Sequence, residues 1–308
     1  MINFNNNNIS EVFYGSDAIV SGFVGSHLIF PTSTPPVPPI EDNEYLNFKA
    51  IENTKLTIRN CNNVDIKYSY DKITWTQWDY SDVNLPSGTT IYLKGYNPNG
   101  FSGYYIDSGG TINYNRLMSV YDGCDGKFEA HGNILSLIYD DNFIGKYEIL
   151  GDYCFCNTFD TTYMVTPPVL VATSLTNWCY YELFIKNIYL EEAPQLPALE
   201  LKEGCYSHLF YGCLSLEKAP DLFAPELAIN CYHQMFDMSW KAYAHIEPKL
   251  NYVKMMATDI SAYNALTQWL YDNQNIEGTL ILNKDVDWSS TTSSSQPPSN
   301  WTIEYADS

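Results

Sequence analysis

Basic side chains are scarce in this 308-residue chain: 16 Lys and Arg stand against 36 Asp and Glu, a formal charge of −20 at pH 7. A nucleic-acid binder needs a basic stripe to neutralise phosphates, so nucleic acid is excluded as a partner. The few cations are scattered, without the run that docks on an anionic membrane. No stretch of about 18 consecutive apolar residues occurs, so membrane insertion by a helix is not expected. The first residues, Met1-Ile-Asn-Phe-Asn-Asn-Asn-Asn, have neither a basic region nor an apolar stretch and do not form a secretory signal peptide. With Met at the start, the expectation is synthesis and assembly in the cytoplasm.

The residues of common active sites are missing too. The eight cysteines include no Cys-x-x-Cys pair, and His27, His131, His208, His233 and His245 show no pair at metal spacing, which argues against zinc. His208 and His233 fall near, but not at, one repeat position and read as surface side chains. No Gly-rich phosphate loop follows a strand, and no Ser or Cys occupies a nucleophile motif. Asp140-Asp141 has the composition of an acid–base or calcium pair but reads as a solvated turn. Asp122-Gly-Cys-Asp125-Gly resembles a fragment of a calcium loop and lacks its spaced oxygens and terminal Glu. The expectation is a protein that is not an enzyme and holds no metal or cofactor.

Tyrosine is abundant, at 26 residues, in a chain only 17% charged. That combination suits a surface of aromatics, Asn, Ser and Thr, as in adhesive β-rich proteins, because Tyr offers wide contact area at low entropic cost.

The second half carries a repeat with the frame Pro-x-Leu-x-Ala-x-x-Leu-x-x-x-Cys-Tyr-x-x-x-Phe. Its copies begin at Pro168, Pro194 and Pro220 and reach Phe184, Phe210 and Phe236. Cys154, Cys179, Cys205 and Cys231 are spaced 25, 26 and 26 residues apart. A fixed period of this size predicts a solenoid in which Leu170, Leu196 and Leu222 stack in register and the Phe positions point inward. The spacing of Cys and Phe fits one short helical turn, and Pro-x-Leu fits a short strand. Stacked rungs lie ~4.8 Å apart, close enough for disulfides, but Cys filling a narrow ladder site as a reduced thiol is the better reading. Tyr180, Tyr206 and Tyr232 follow the ladder cysteines. They form either an exposed aromatic stripe able to bind sugars or partner proteins, or part of the packing.

Elsewhere, residues 1–30 read as a β-meander. Ile9–Tyr14 is its first strand, turned by Gly15-Ser16-Asp17 into Ile19–Val24, and Gly25-Ser26 leads into His27–Phe30. The prolines between Pro31 and Pro39 predict an extended linker over residues 31–43. Residues 44–125 show period-two alternation, with Ile91 and Leu93 inward and Tyr92 and Lys94 outward, and predict an immunoglobulin-like β-sandwich. The solenoid is expected over 126–260 and a C-terminal cap over 261–308. The cap starts with a helix N-capped by Ser261 that presents Ala262, Ala265, Leu266, Trp269 and Leu270 on one face. The fold class is thus mainly β with short helices.

The segment Leu209-Phe-Tyr-Gly-Cys213-Leu-Ser-Leu216-Glu-Lys-Ala-Pro220 resembles the repeat of the BspA-like leucine-rich-repeat proteins of Bacteroidales bacteria. The resemblance runs from about residue 45 to 306, through Gly132–Asp141, Leu250–Ile260, Trp269-Leu270 and Pro298-Ser-Asn-Trp301. The Phe-x-Gly-Cys step is intact only at Phe210–Cys213. Val12-Phe-Tyr-Gly15-Ser and Phe23-Val-Gly25-Ser-His-Leu-Ile-Phe30 resemble leader modules of virion proteins in phages of these bacteria, including crAss-like phages. What the resemblance implies is an exposed virion protein, such as a head or tail fibre, whose solenoid meets host or mucosal glycans or proteins. A bacterial cell-surface adhesin is the alternative, and a glycan-active enzyme a more distant one. Phe13, Tyr14, Phe23, Leu28 and Phe30 leave the small meander more apolar surface than it can bury. They mark residues 1–30 as the contact with other virion proteins or with further copies in a homo-oligomer.

Overall fold

The computed structural model describes side chains for residues 42–58, 64–101, 116–273, 276–289 and 291–306, with the backbone of a few short strands outside them. The architecture is mainly β with few short helices. Pro39–Asp307 form one compact unit and Met1–Pro38 another.

In the smaller unit, Phe13–Tyr14 pairs antiparallel with Asp17–Ala18, and Phe23–Val24 with His27–Leu28. Gly-Ser separates the strands in both cases, the composition that two-residue hairpins favour. Asp17 therefore belongs to a strand, not to the turn. The side chains of Phe13, Tyr14, Phe23 and Leu28, all of Phe30 and the proline linker lie outside the described residues.

In the larger unit β1 is Leu46–Ala50, β2 Lys67–Ser69, β3 Thr76–Gln77, β4 Thr90–Lys94, β5 Phe128–His131 and β6 Met164–Thr166. They form one sheet in the order β6-β5-β1-β4-β2-β3. The pairings are antiparallel except for β5 with β6. Phe48 lies opposite Ile91 on one side and Ala130 on the other, and all three are buried. Alternate residues of three neighbouring strands thus share one apolar face. Residues 71–74 form a bend, in which the Asp71 carboxylate accepts the N–H groups of Ile73 and Thr74 at 2.9 and 2.8 Å.

The parallel β5–β6 step leads into stacked repeats. Isolated parallel bridges join Glu200 to Glu226 and Glu226 to Asp259. Parallel pairing continues through β7 (Tyr252–Met255), β8 (Thr279–Asn283) and β9 (Thr302–Ala306).

The Cys-Tyr-x-x-x-Phe segments are runs of turns, not the helical turn their spacing allowed. In one repeat the N–H groups of Gly204, Tyr206, His208, Phe210 and Gly212 donate to carbonyls of the next repeat, at Ile229, Cys231, His233, Met235 and Asp237, over 2.9–3.2 Å. The intervening N–H groups, from Cys205 to Cys213, return to carbonyls three residues back in their own repeat. Every backbone donor in the run is therefore satisfied, and half of them tie one repeat to the next. Left-handed residues recur at every fourth position: φ is 56°, 55° and 59° at Trp178, Glu182 and Lys186, and 60°, 55° and 70° at Gly204, His208 and Gly212. A non-glycine residue there costs about 1–2 kcal/mol, which the inter-repeat bonds and the packing offset.

The segment starting at Ser261 continues this pattern and is not a helix. The N–H groups of Tyr232, Gln234, Phe236 and Met238 donate to carbonyls of Ala265, Thr267, Trp269 and Tyr271 at 2.8–3.0 Å. Ser261 caps nothing; its N–H donates to Asp259 Oδ1 at 2.9 Å. Ala265, Leu266, Trp269 and Leu270 are buried all the same, because a four-residue turn period and a 3.6-residue helix bury nearly the same positions.

Leu170, Leu196 and Leu222 are buried, and Phe159, Phe184, Phe210 and Phe236 stack face to face with centroids 5.9, 5.7 and 5.6 Å apart. Cys154, Cys179, Cys205 and Cys231 are buried and in no disulfide. Burial pushes Cys179 and Cys231 up to about 12, so neither is a thiolate at neutral pH.

Candidate interaction surface

Tyr180, Tyr206 and Tyr232 do not form an exposed stripe. They are 1%, 1% and 2% exposed and extend a second ring column, Phe101–Phe155–Tyr180–Tyr206–Tyr232, at spacings of 5.7–6.2 Å. Each ring covers the face of the next, so none is left for a ligand. Burial drives their hydroxyls well above the usual phenol range. Among the described residues, the Tyr180 and Tyr206 hydroxyls find no hydrogen-bond partner. A buried, unpaired hydroxyl costs more than its absence, so Tyr206→Phe should raise stability by about 1 kcal/mol. A thermal melt checks this, and a loss of similar size would reveal a buried water holding the hydroxyl.

The half-buried rings are others. Tyr153 stacks on Trp178 at 6.2 Å, and Trp178 meets Tyr181 edge-on at 5.5 Å. Tyr181 meets His208 at 5.4 Å, and His208 leads to Tyr211 at 6.0 Å. The Tyr211 hydroxyl bonds to Ser239 Oγ at 3.0 Å, next to Trp240, which stacks on Tyr243 at 4.9 Å. The result is one band of aromatic and polar side chains crossing successive repeats. Two glycines make room for it. A Cβ on Gly204 would lie 2.2 Å from Trp178 Cε3, and one on Gly212 would lie 2.9 Å from Trp240 Cβ. Lys186 lies 4.4 Å from the Trp240 ring centroid, a cation–π contact. Sequence reading missed the band because its members occupy different positions in different repeats. The signal available was small-for-large exchange at one position, Trp178 against Gly204.

His208 and His233 are half-buried, with ring centroids 5.2 Å apart, rather than separate surface groups. Both Nε2 atoms reach Gln234 Oε1, at 2.8 and 3.0 Å. Gln234 Nε2 donates to Asp237 Oδ2 at 2.9 Å, so Oε1 is the acceptor of both rings. His208 Nδ1 then accepts from the Ser207 hydroxyl at 2.8 Å. Burial pulls His208 down to about 4, and His233 is lowered for the same reason, so both are neutral at pH 7.

Asp140 is drawn into an ion cluster rather than left in a solvated turn, Asp141 stays exposed as expected, and Lys94 does not face outward. Lys94 is only 6% exposed. Its Nζ lies 2.9 Å from Asp140 Oδ1 and 2.6 Å from Asp141 Oδ1, with Lys67 Nζ 2.6 Å from Asp140 Oδ2. The Tyr45 hydroxyl donates to Asp141 at 2.8 Å, and Trp75 lies under Lys94 at 4.4 Å. Burial raises the Asp140 carboxyl, but bonds from Lys67 and Lys94 outweigh it and hold it below the usual range. The lysines occupy the oxygens that a cation or substrate would need. This cluster clamps β4 to the segment that follows α1 (Ser136–Tyr139). In the Asp122–Asp125 loop, Cys124 is buried and its thiol donates to the Lys55 carbonyl at 3.1 Å.

Among the described residues, no His, Cys, Asp and Glu cluster is arranged to hold a metal ion, and no helix is long and apolar enough to cross a membrane. The chain matches no protein-family model, no curated protein and no solved structure.

Proposed function

We propose that this chain is a non-catalytic structural protein of a phage particle, exposed on it as a head or tail fibre or decoration. In this reading the stacked repeats are a BspA-like leucine-rich-repeat solenoid, the antiparallel strands before them an immunoglobulin-like sandwich, and the last rungs a cap. The solenoid presents its half-buried aromatic band to host or mucosal glycans or proteins, and residues 1–30 dock into the particle or onto further copies. The observation that carries the reading is the alternating backbone ladder. It binds each repeat to the next through main-chain bonds that no side-chain change removes, and so makes a rigid platform for an exposed binding surface. The proline-rich composition of residues 31–39, at the end of the first compact unit, supports a docking module followed by a spacer.

The test is incorporation. Mass spectrometry of purified particles should find the full chain, and a variant lacking residues 1–35 should fold, stay soluble and be missing from them. Normal incorporation of the truncated protein would overturn the docking role. Recovery in the bacterial envelope, with none in particles, would favour the adhesin instead.

A further inference from the structure

A cavity of 350 Å³ opens near the end of the repeat stack. Leu270 and Tyr271 line it from one run of turns, and Ser293, Gln296, Pro297 and Ser299 from the loop that precedes β9. The size falls in the range of small-ligand sites.

The loop is held in place by its own bonds. Ser294 and Ser295 carbonyls accept the Gln268 N–H at 2.9 Å and the Trp269 indole N–H at 3.0 Å. The Trp301 N–H donates to the Pro298 carbonyl at 3.1 Å, and Gln296 Nε2 donates to Thr291 Oγ1 at 2.7 Å. The last bond uses Nε2, and among the described residues Gln296 Oε1 accepts from no other group. Among the described residues, the Ser293, Ser299 and Tyr271 hydroxyls bond to no other group. The cavity therefore has a fixed shape and unused hydrogen-bonding groups before any ligand arrives.

Its lining selects by charge. Among the described residues no Lys, Arg or His lines it, and the chain is strongly acidic, which disfavours an anion. Among the same residues no carboxylate lines it, which disfavours a cation as well. Hydroxyl and amide groups interrupt the apolar surface, which disfavours a purely apolar guest. The Tyr271 ring and the proline ring offer flat apolar faces beside these polar groups. We infer that this cavity is a binding site for an uncharged saccharide, with a sugar ring lying against Tyr271 and its hydroxyls bonding Gln296, Ser293 and Ser299. The site is independent of the virion reading and of the aromatic band.

Calorimetry and saturation-transfer NMR on the full chain test this with glucose, galactose, N-acetylglucosamine and lactose as probes and N-acetylneuraminic acid as the charged control. At least one neutral sugar should bind more tightly than the acid. Tyr271→Ala and Gln296→Ala should each weaken it about tenfold, with the melting temperature unchanged in Tyr271→Ala, whose side chain is exposed. Binding should be flat from about pH 5 to 8, because the lining has no histidine to titrate there. Silence from all four neutral probes, equal binding of the acid, or retention of binding in Tyr271→Ala overturns the site. Loss of binding in Trp178→Ala but not in Tyr271→Ala moves it to the aromatic band and also overturns it.

Discussion

Phe210→Ala should lower the unfolding free energy by about 3–5 kcal/mol, among the largest effects of a single truncation in this chain. Phe210 is fully buried, and its ring lies between Phe184 at 5.7 Å and Phe236 at 5.6 Å. The cost of such a change depends on how far the surroundings collapse into the space left. Here they cannot collapse far. The Phe184 N–H bonds to Leu209 and the Phe210 N–H to Met235, so the main chain holds the repeats at their spacing whatever the side chain is. The cavity persists, and both neighbouring rings lose a face. Urea unfolding should show a lower midpoint with an unchanged slope. Ile73→Ala serves as the control: Ile73 is 84% exposed, and its loss should stay within about 0.5 kcal/mol. Equal small effects at both positions would mean that the ring column is not core.

Lys94→Met should cost about 3 kcal/mol and weaken the pH dependence expected of the native chain. The substitution keeps most of the apolar stem against Trp75 and removes the charge, leaving Asp140 with Lys67 alone in a half-buried setting. The sign follows from the two groups. The Asp140 carboxyl is held below its ordinary 3.8 when folded. Its contribution is therefore complete above that value and is lost as pH falls through the lower, folded value. Burial lowers Lys94, but Asp141 and Asp140 outweigh it and raise the ammonium above its ordinary 10.5. Its contribution is complete below that value and is lost as pH rises through the folded one. The clamp thus acts between the ordinary carboxylate and ammonium values. Stability measured against pH should fall more steeply on the acid side in the native chain than in Lys94→Met. Parallel acid limbs would show that the cluster is not a stabilising ion network.

The failed expectations share a cause. The pattern Ala262, Ala265, Leu266, Trp269, Leu270 was legible as one buried face; the last four are buried and Ala262 is half-buried. Whether it belonged to a helix was not legible. An α-helix satisfies its N–H groups within itself, whereas this run sends alternate ones to the neighbouring repeat, and that choice needs a neighbour already in place. Tyr180, Tyr206 and Tyr232 were ambiguous for a related reason. A periodic Tyr serves equally as a solvent-facing stripe or a stacked column, and only the stacking of successive rings distinguishes the two. Lys94 sat in a period-two strand at a position read as outward. Asp140 and Asp141, distant in sequence, drew that lysine into an ion cluster in which Lys94 is buried and Asp141 stays exposed.

The chain by itself determined the repeat register and the inward ladder of Leu, Cys and Phe. Each repeat meets nearly the same surroundings, so the same burial recurs at the same step and leaves a period that can be read. The strand-rich class was legible too, because alternation is a local property. Tertiary structure alone decided what lies on the outside and at the ends. The aromatic band depends on Trp178 lying over Gly204 and Trp240 over Gly212, pairings that join residues of different repeats. The cavity beside Tyr271 needs the loop before β9 to be tied back to Gln268 and Trp269. Contacts of this kind are made once each, between segments with no common period, and a one-time contact leaves no pattern along a single chain.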